Sequence, residues 1–382
     1  MNDAKANTIG RPSNPLLDLN QYGQSPWLDY IHRRLVTSGD LARMIEEYGL
    51  KGVTSNPAIF EKAIAGSDDY RDMLVQPGNA RVGAEALYER LAVRDIQDAA
   101  DALRGVYASS GRRDGYVSLE VSPRLAHDTD GTIADARRLW AAVDRPNVMI
   151  KVPATPAGIP AVRTLIGDGI NVNVTLIFAR EVYREVALAY IDGLEQRSAR
   201  DDLAGIASVA SFFISRIDTA VDAEIERLRA QTRDTQMQSL LENLCGKVAI
   251  ANAKLAYGLY GEIFSGARWQ ALAGRGAQTQ RLLWASTGTK NPAYSDVLYV
   301  EELIGRDTVN TMPPATLDAF RDHGRLRPSL GEDPQAAARV MASLDAAGVS
   351  MTQVTERLLA EGVTLFADAF DKLLAAVAKH SG

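Results

Sequence analysis

In Val148-Met149-Ile150-Lys151-Val152-Pro153-Ala154-Thr155 one lysine interrupts an otherwise apolar strand-like run. A buried lysine is costly unless it is paired or neutral. Burial in general disfavours the ammonium form and leaves an amine able to attack a carbonyl carbon. The competing role is an edge-strand lysine that snorkels to solvent. Glu120 stands alone in the same way within Val117-Ser118-Leu119-Glu120-Val121-Ser122. It could carry protons, or form a structural ion pair with Lys151 or an arginine. One strand later, Asn173 and Thr175 lie two residues apart and so share a face; polar side chains turned inward need partners. Asp29, in Trp27-Leu28-Asp29-Tyr30-Ile31, is a candidate general acid/base or a helix cap. Asn56 precedes Pro57, the arrangement of a helix start, so capping competes with chemistry there too. Packing, pairing or capping accounts for each residue taken singly. The recurrence of polar residues near the ends of successive strands is harder to explain that way.

Two further segments suit a phosphate. Ser211-Phe212-Phe213-Ile214-Ser215-Arg216 offers a hydroxyl and a guanidinium at a strand end, and Ser286-Thr287-Gly288-Thr289-Lys290-Asn291 offers hydroxyls, a glycine and a cation. Cations among hydroxyls and backbone N–H groups make an anion pocket. The second segment lacks the spacing of a P-loop, and a plain surface loop is its alternative.

Positioning such residues takes strands whose ends converge. Short Val/Ile/Leu/Phe-rich runs fall near Trp27–Ile31, Gly52–Asn56, Tyr116–Val121, Val148–Ala154, Val172–Phe178, Ile206–Ile214, Arg281–Ser286 and Thr308–Met312. Their weak alternation is that of strands covered on both faces. Amphipathic segments separate them, among them Asp40–Tyr48, Ala84–Ala108, Ile133–Ala142, Ala157–Gly167, Arg180–Gln196 and Ile217–Arg229. Alternating strands and helices mean βαβ units and a parallel sheet, and eight of them predict an α/β fold of the closed (β/α)8 TIM-barrel type, with active sites at the strands' C-terminal ends. Arg216–Ala273 reads as two or three extra helices. Ala337–His380 is a C-terminal helical extension that folds over the barrel or supports self-association, so monomer and homodimer both stay open. Residues 1–26 read as a loose lead-in. No linker divides the chain, and residues 1–382 are expected to form one domain.

The 382 residues suit one large barrel, and 46% apolar with 24% charged residues is the balance of a globular protein. A net charge of −6 disfavours nonspecific nucleic-acid binding, although a few local cations suffice for phosphorylated small molecules. No apolar run is long enough for a membrane span, and residues 1–20 lack a signal-peptide core; the expected location is the cytoplasm. The lone Cys245 rules out an internal disulfide framework, and His32, His127, His323 and His380 are scattered without metal-ligand spacing.

The stretches Gly52–Phe60, Ser118–Arg124, Met149–Thr155 and Ile170–Phe178 resemble the signature segments of the transaldolase family, in the family's order and at similar spacing. The resemblance spans about Trp27 to Phe320, and the length resembles the longer bacterial type. It implies Lys151 as the Schiff-base lysine and Glu120 as the carboxylate that shuttles protons through a water held by Thr175. Asp29 becomes the group that handles the substrate hydroxyl proton when the C–C bond breaks. Asn56 and Asn173 match side chains that bind the ketose, and Ser211 and Arg216 match substrate and phosphate contacts; Ser286 and Lys290 join them as candidates. Many family members carry an arginine in this last loop, whereas Lys290 supplies charge without the bidentate fork. The implied reaction moves a dihydroxyacetone unit from sedoheptulose 7-phosphate to glyceraldehyde 3-phosphate, giving erythrose 4-phosphate and fructose 6-phosphate in the non-oxidative pentose phosphate pathway. It needs neither metal nor organic cofactor. Its rivals are an aldolase that frees dihydroxyacetone, a catalytically silent sugar-phosphate-binding barrel, and a metal-dependent hydrolase, which would require His-rich strand ends.

Overall fold

The computed structural model describes residues 14–75, 82–198 and 203–380. Eight parallel strands close in sequence order: β1 (Gln24–Asp29), β2 (Gly52–Thr54), β3 (Tyr116–Glu120), β4 (Val148–Pro153), β5 (Val172–Ile177), β6 (Ser208–Phe213), β7 (Arg281–Ala285) and β8 (Thr308–Met312), with β8 returning to pair with β1. The expected (β/α)8 barrel is therefore the fold. Every residue of β2 and of β4 to β8 is buried, which is why these strands read as mainly apolar runs with weak alternation. Side chains alternate along a strand. Lys151 faces the barrel interior, so Ile150 and Val152 face the helices.

Outside the strands lie α1 (Asp40–Tyr48), α2 (Pro57–Ala65), α3 (Ala84–Ala102), α4 (Thr129–Val143), α5 (Gly158–Asp168), α6 (Arg180–Ser198), α7 (Ser215–Gln231), α8 (Thr235–Glu242), α9 (Val248–Ile263), α10 (Ala267–Ala273), α11 (Leu298–Glu302), α12 (Pro314–His323), α13 (Pro334–Ala346) and α14 (Met351–His380). None of the described helices is long and apolar enough to cross a membrane.

Three sequence expectations change. Strand β1 begins at Gln24 rather than Trp27, because Gln24 through Leu28 pair in register with Thr308 through Met312. The lead-in is also less loose than its composition suggested. Asn14 caps a helical turn, Pro15–Asp18, and Leu16 and Leu19 are buried, so order reaches back to Asn14; residues 1–13 lie outside the described part. The stretch after β6 forms four helices, α7 to α10, instead of two or three. Asp234 caps α8 by accepting from the Gln236 and Met237 amides. Gly246, at φ +69°, turns the chain between α8 and α9, and Gly266 opens α10.

The C-terminal segment forms α13 and α14. Helix α14 buries a stripe through Val354, Leu358, Phe366, Phe370, Leu373 and Val377, at helical spacing. It packs on α2 and α3 and touches β5. Gly362 permits that last approach, since a Cβ there would come within 2.9 Å of the Leu176 side chain. Leu176 sits in a bulge between Val174 and Ile177, with φ +59°. A bulge beside Thr175 is the kind of irregularity that re-aims side chains at a site.

Candidate active site

Strand register assembles the charged residues. Glu120 on β3 is level with Lys151 on β4, which is level with Asn173 on β5, while Asp29 on β1 is level with Thr54 on β2. Lys151 is buried. Its Nζ donates to the Ser55 carbonyl at 3.1 Å, lies 3.6 Å from Glu120 Oε2, and sits 5.7 Å from the centre of the Phe366 ring. Burial raises Glu120 from its ordinary range to about 7; Lys151 pulls it back and Asp29 adds a little more lift. Asp29 is raised as well. Burial is the main cause, opposed by Lys151, by the Thr54 hydroxyl that donates to its Oδ1 at 2.6 Å, and by Lys290. Asp29 is not a cap, since His32 caps the turn that follows.

Two buried oxygens here have no hydrogen-bond partner, Glu120 Oε2 and Thr175 Oγ1. Buried polar atoms are rarely left so, and a pair of them flanking a lysine marks a place where a small polar molecule completes the structure.

A cavity of about 150 Å³ opens at this end of the barrel, lined by Asp29, Asn56, Lys151, Thr175, Ser211, Arg216, Ser286 and Lys290 together with Thr54, Phe213, Thr311 and Phe366. Eight of the ten residues singled out from the sequence thus share one wall system. Asn56 Oδ1 caps α2 by accepting from Ile59 N at 3.0 Å, and the residue also lines the cavity. Arg216 stacks over Phe213, with 5.5 Å between guanidinium carbon and ring centre. Burial lowers its pKa from the ordinary value, and Glu361 opposes that. Lys290 stands at the exposed rim. Ser286 adopts φ +56°, and its hydroxyl lies 2.9 Å from that of Ser215.

The other two lie apart from the cavity. Asn173 is fully buried with both ends of its amide engaged: Nδ2 donates to Ser118 Oγ at 3.0 Å and Oδ1 accepts from Ser211 Oγ at 2.7 Å. It braces Ser211 from behind. Glu120 reaches Lys151 from the far side and borders a second, smaller cavity.

Sequence reasoning missed several lining residues. Phe213 was within reach, two positions after Ser211 and so on the same face. Thr54 and Thr311, whose hydroxyls lie 2.7 Å apart, needed the strand pairing. Phe366 had no local signal, because a phenylalanine on the buried face of a helix reads as packing.

Fold and site together define a (β/α)8-barrel protein whose buried lysine, paired with a carboxylate behind it, faces a cavity at the C-terminal ends of the strands, the end where such barrels carry their chemistry. The chain belongs to the transaldolase/fructose-6-phosphate aldolase family, whose model matches residues 26–377. It is 48% identical over 366 residues to a transaldolase of Trichodesmium erythraeum, an alignment covering 95% of this chain and 96% of that protein. It is 50% identical over 363 residues to transaldolase 1 of Streptomyces coelicolor, covering 94% and 93%, and 49% identical over 361 residues to a transaldolase of Thiobacillus denitrificans, covering 94% and 98%.

Proposed function

We propose that the chain transfers a dihydroxyacetone unit between sugar phosphates through an imine on Lys151, acting as one catalytic unit in the cytoplasm without metal or organic cofactor. The observation that carries this reading is the Lys151–Glu120 contact: a buried amine 3.6 Å from a carboxyl raised to about 7. Together the two hold a proton that can be moved during addition and dehydration. The amine nitrogen attacks the ketose carbonyl carbon and gives a carbinolamine. Glu120 gives a proton to the departing hydroxyl, the C–O bond breaks, and water and an iminium result. Thr175, with its unpartnered hydroxyl, suits a role in holding that water. Asp29 then takes the C4 hydroxyl proton, the C3–C4 bond breaks, and its electron pair passes to the iminium to form an enamine. The aldose phosphate leaves, and an acceptor aldehyde reverses the sequence.

Arg216 and Lys290, with Ser286 beside them, suit the phosphate. Arg216 forms no salt bridge among the described residues, though Glu361 acts on it electrostatically, and its guanidinium suits a bidentate anion. Asn56 and Ser211 suit the ketose hydroxyls, with Asn173 behind Ser211. The pathway step proposed is sedoheptulose 7-phosphate plus glyceraldehyde 3-phosphate to erythrose 4-phosphate plus fructose 6-phosphate.

The test is incubation with fructose 6-phosphate and sodium borohydride, followed by mass spectrometry. A reduced dihydroxyacetone adduct on Lys151 is expected. Adding erythrose 4-phosphate should discharge the enamine into sedoheptulose 7-phosphate. Free dihydroxyacetone formed at the same rate with or without acceptor would instead make the protein an aldolase, and no adduct on a folded, donor-binding protein would make it a silent barrel.

A further inference from the structure

Glu120 separates two cavities. Lys151 borders the larger one and Glu120 does not; Glu120 borders the smaller one and Lys151 does not. The smaller cavity runs between α3, α4 and α14, walled by Tyr88, Ala92, Leu139 and Phe370. Its inner end is Glu120, whose side chain is 5% exposed and whose Oε2 has no hydrogen-bond partner. At its outer end stand Glu85, Glu89 and Arg138, with side chains 55%, 27% and 52% exposed, the last two paired to each other. The space open to water centres is about 40 Å³, and one ordered water needs about 10–15 Å³. A largely polar lining that ends on a buried carboxyl side chain makes this a space that water can occupy.

The reaction gives such a space a task. Each donor half-reaction forms one C=N bond, breaks the C–O bond of the carbinolamine and releases one water. Each acceptor half-reaction consumes one water and restores the amine. Water must therefore leave and re-enter beside Glu120 while a sugar phosphate occupies the mouth of the barrel. Resting on the imine reading above, we infer that the cavity behind Glu120 is a water passage. Water released on dehydration leaves through it and water for hydrolysis enters through it, without passing the bound sugar. Burial raises the pKa of Tyr88, which lines this route, and the nearby Glu120, Glu89 and Asp135 add to that.

The experiment is quench-flow borohydride trapping with fructose 6-phosphate alone, read as the rate of Lys151 adduct formation across pH. Ala92→Leu fills the passage from α3 and should slow trapping about tenfold, with donor KM little changed. Ala92→Ser adds less bulk and should fall between. Displacement of Glu120 would move the pH midpoint of trapping; a blocked passage lowers the rate and leaves that midpoint in place. Should Ala92→Leu fail to fold, Tyr88→Phe serves, since it keeps the space and removes a hydroxyl from the route; a severalfold slower rate at an unmoved midpoint is expected. Variants that fold and trap at the wild-type rate, or that shift the midpoint, overturn the passage. A wild-type protein that forms no adduct overturns the imine chemistry instead, and the two failures are told apart by that control.

Discussion

The barrel holds a buried cation–carboxylate pair at each end, and the two are built to opposite purposes. At the strands' N-terminal end Arg281 Nη2 meets Asp114 Oδ1 at 2.8 Å. The Ser25 hydroxyl and the Trp27 indole also donate to Asp114, and Arg281 further bonds Ser25 and the Arg113 carbonyl. Burial alone would lift Asp114, but Arg281 and these donors together hold it below the usual carboxylate range. At the C-terminal end Lys151 and Glu120 stand 3.6 Å apart, the carboxyl oxygen facing Lys151 accepts no hydrogen bond, and burial wins, raising Glu120 to about 7. Burial is similar, so exposure does not separate the pairs. The number of hydrogen bonds each carboxylate receives does. A fully satisfied pair keeps its charges and pins strands; an under-satisfied one keeps a movable proton.

The sharpest way to break this comparison is to delete each cation. Lys151→Ala should lower transfer by at least about 10⁴-fold, the scale for losing a covalent nucleophile, while leaving the thermal transition close to wild type, because Glu120 can take up a proton when its partner goes. Arg281→Met should do the reverse. Asp114 is left buried and charged, which costs about 3–5 kcal/mol in urea unfolding, with kcat within a fewfold of wild type for whatever remains folded. Matching stability losses in the two variants would abolish the distinction.

A smaller effect sharpens the cationic rim. Arg216→Ala should raise KM for the phosphorylated donor roughly 10- to 100-fold, as expected for losing a partly buried charge-assisted contact. Lys290→Ala, at the exposed edge, should cost only a fewfold, since solvent screens it. Equal losses would assign the phosphate to both cations alike.

The smallest effect is on stability against pH. Glu120 in the folded chain keeps a proton that the unfolded chain releases near its ordinary range. Its contribution is most favourable at acid pH and is lost as pH climbs from about 4.5 to about 7. Asp114, held low, contributes in the opposite sense; its stabilisation is present above the ordinary carboxylate range and is lost as pH falls through its depressed pKa. Glu120→Gln should flatten the first slope and gain roughly 1–2 kcal/mol at neutral pH, measured by urea midpoints between pH 5 and 8, while activity falls. A steeper slope in that variant would contradict the assignment.

Much of the site could be read from the chain because barrel strands are regular. A lone lysine, a lone glutamate and an Asn-x-Thr pair in consecutive apolar runs become neighbours once parallel strands pair, and Glu120, Lys151 and Asn173 do fall level with one another. Alternation of strands and helices likewise determined the barrel, since a strand buried on both faces leaves few other architectures.

Tertiary structure alone decided how each polar atom is partnered. Asn173, a sugar-contact candidate by resemblance, is held at each end of its amide by Ser118 and Ser211, which only the packed strands reveal. Glu120 and Asp114 are both buried acids, and nothing local to either says which will be surrounded by donors. Phe366 and Tyr88 reach the site and its rear cavity from helices far from Lys151 in the chain, as ordinary members of apolar stripes. Periodicity along a segment sets which way a side chain points; hydrogen-bond satisfaction and enclosed space depend on several segments at once, and only the closed barrel with α14 laid across it brings those together.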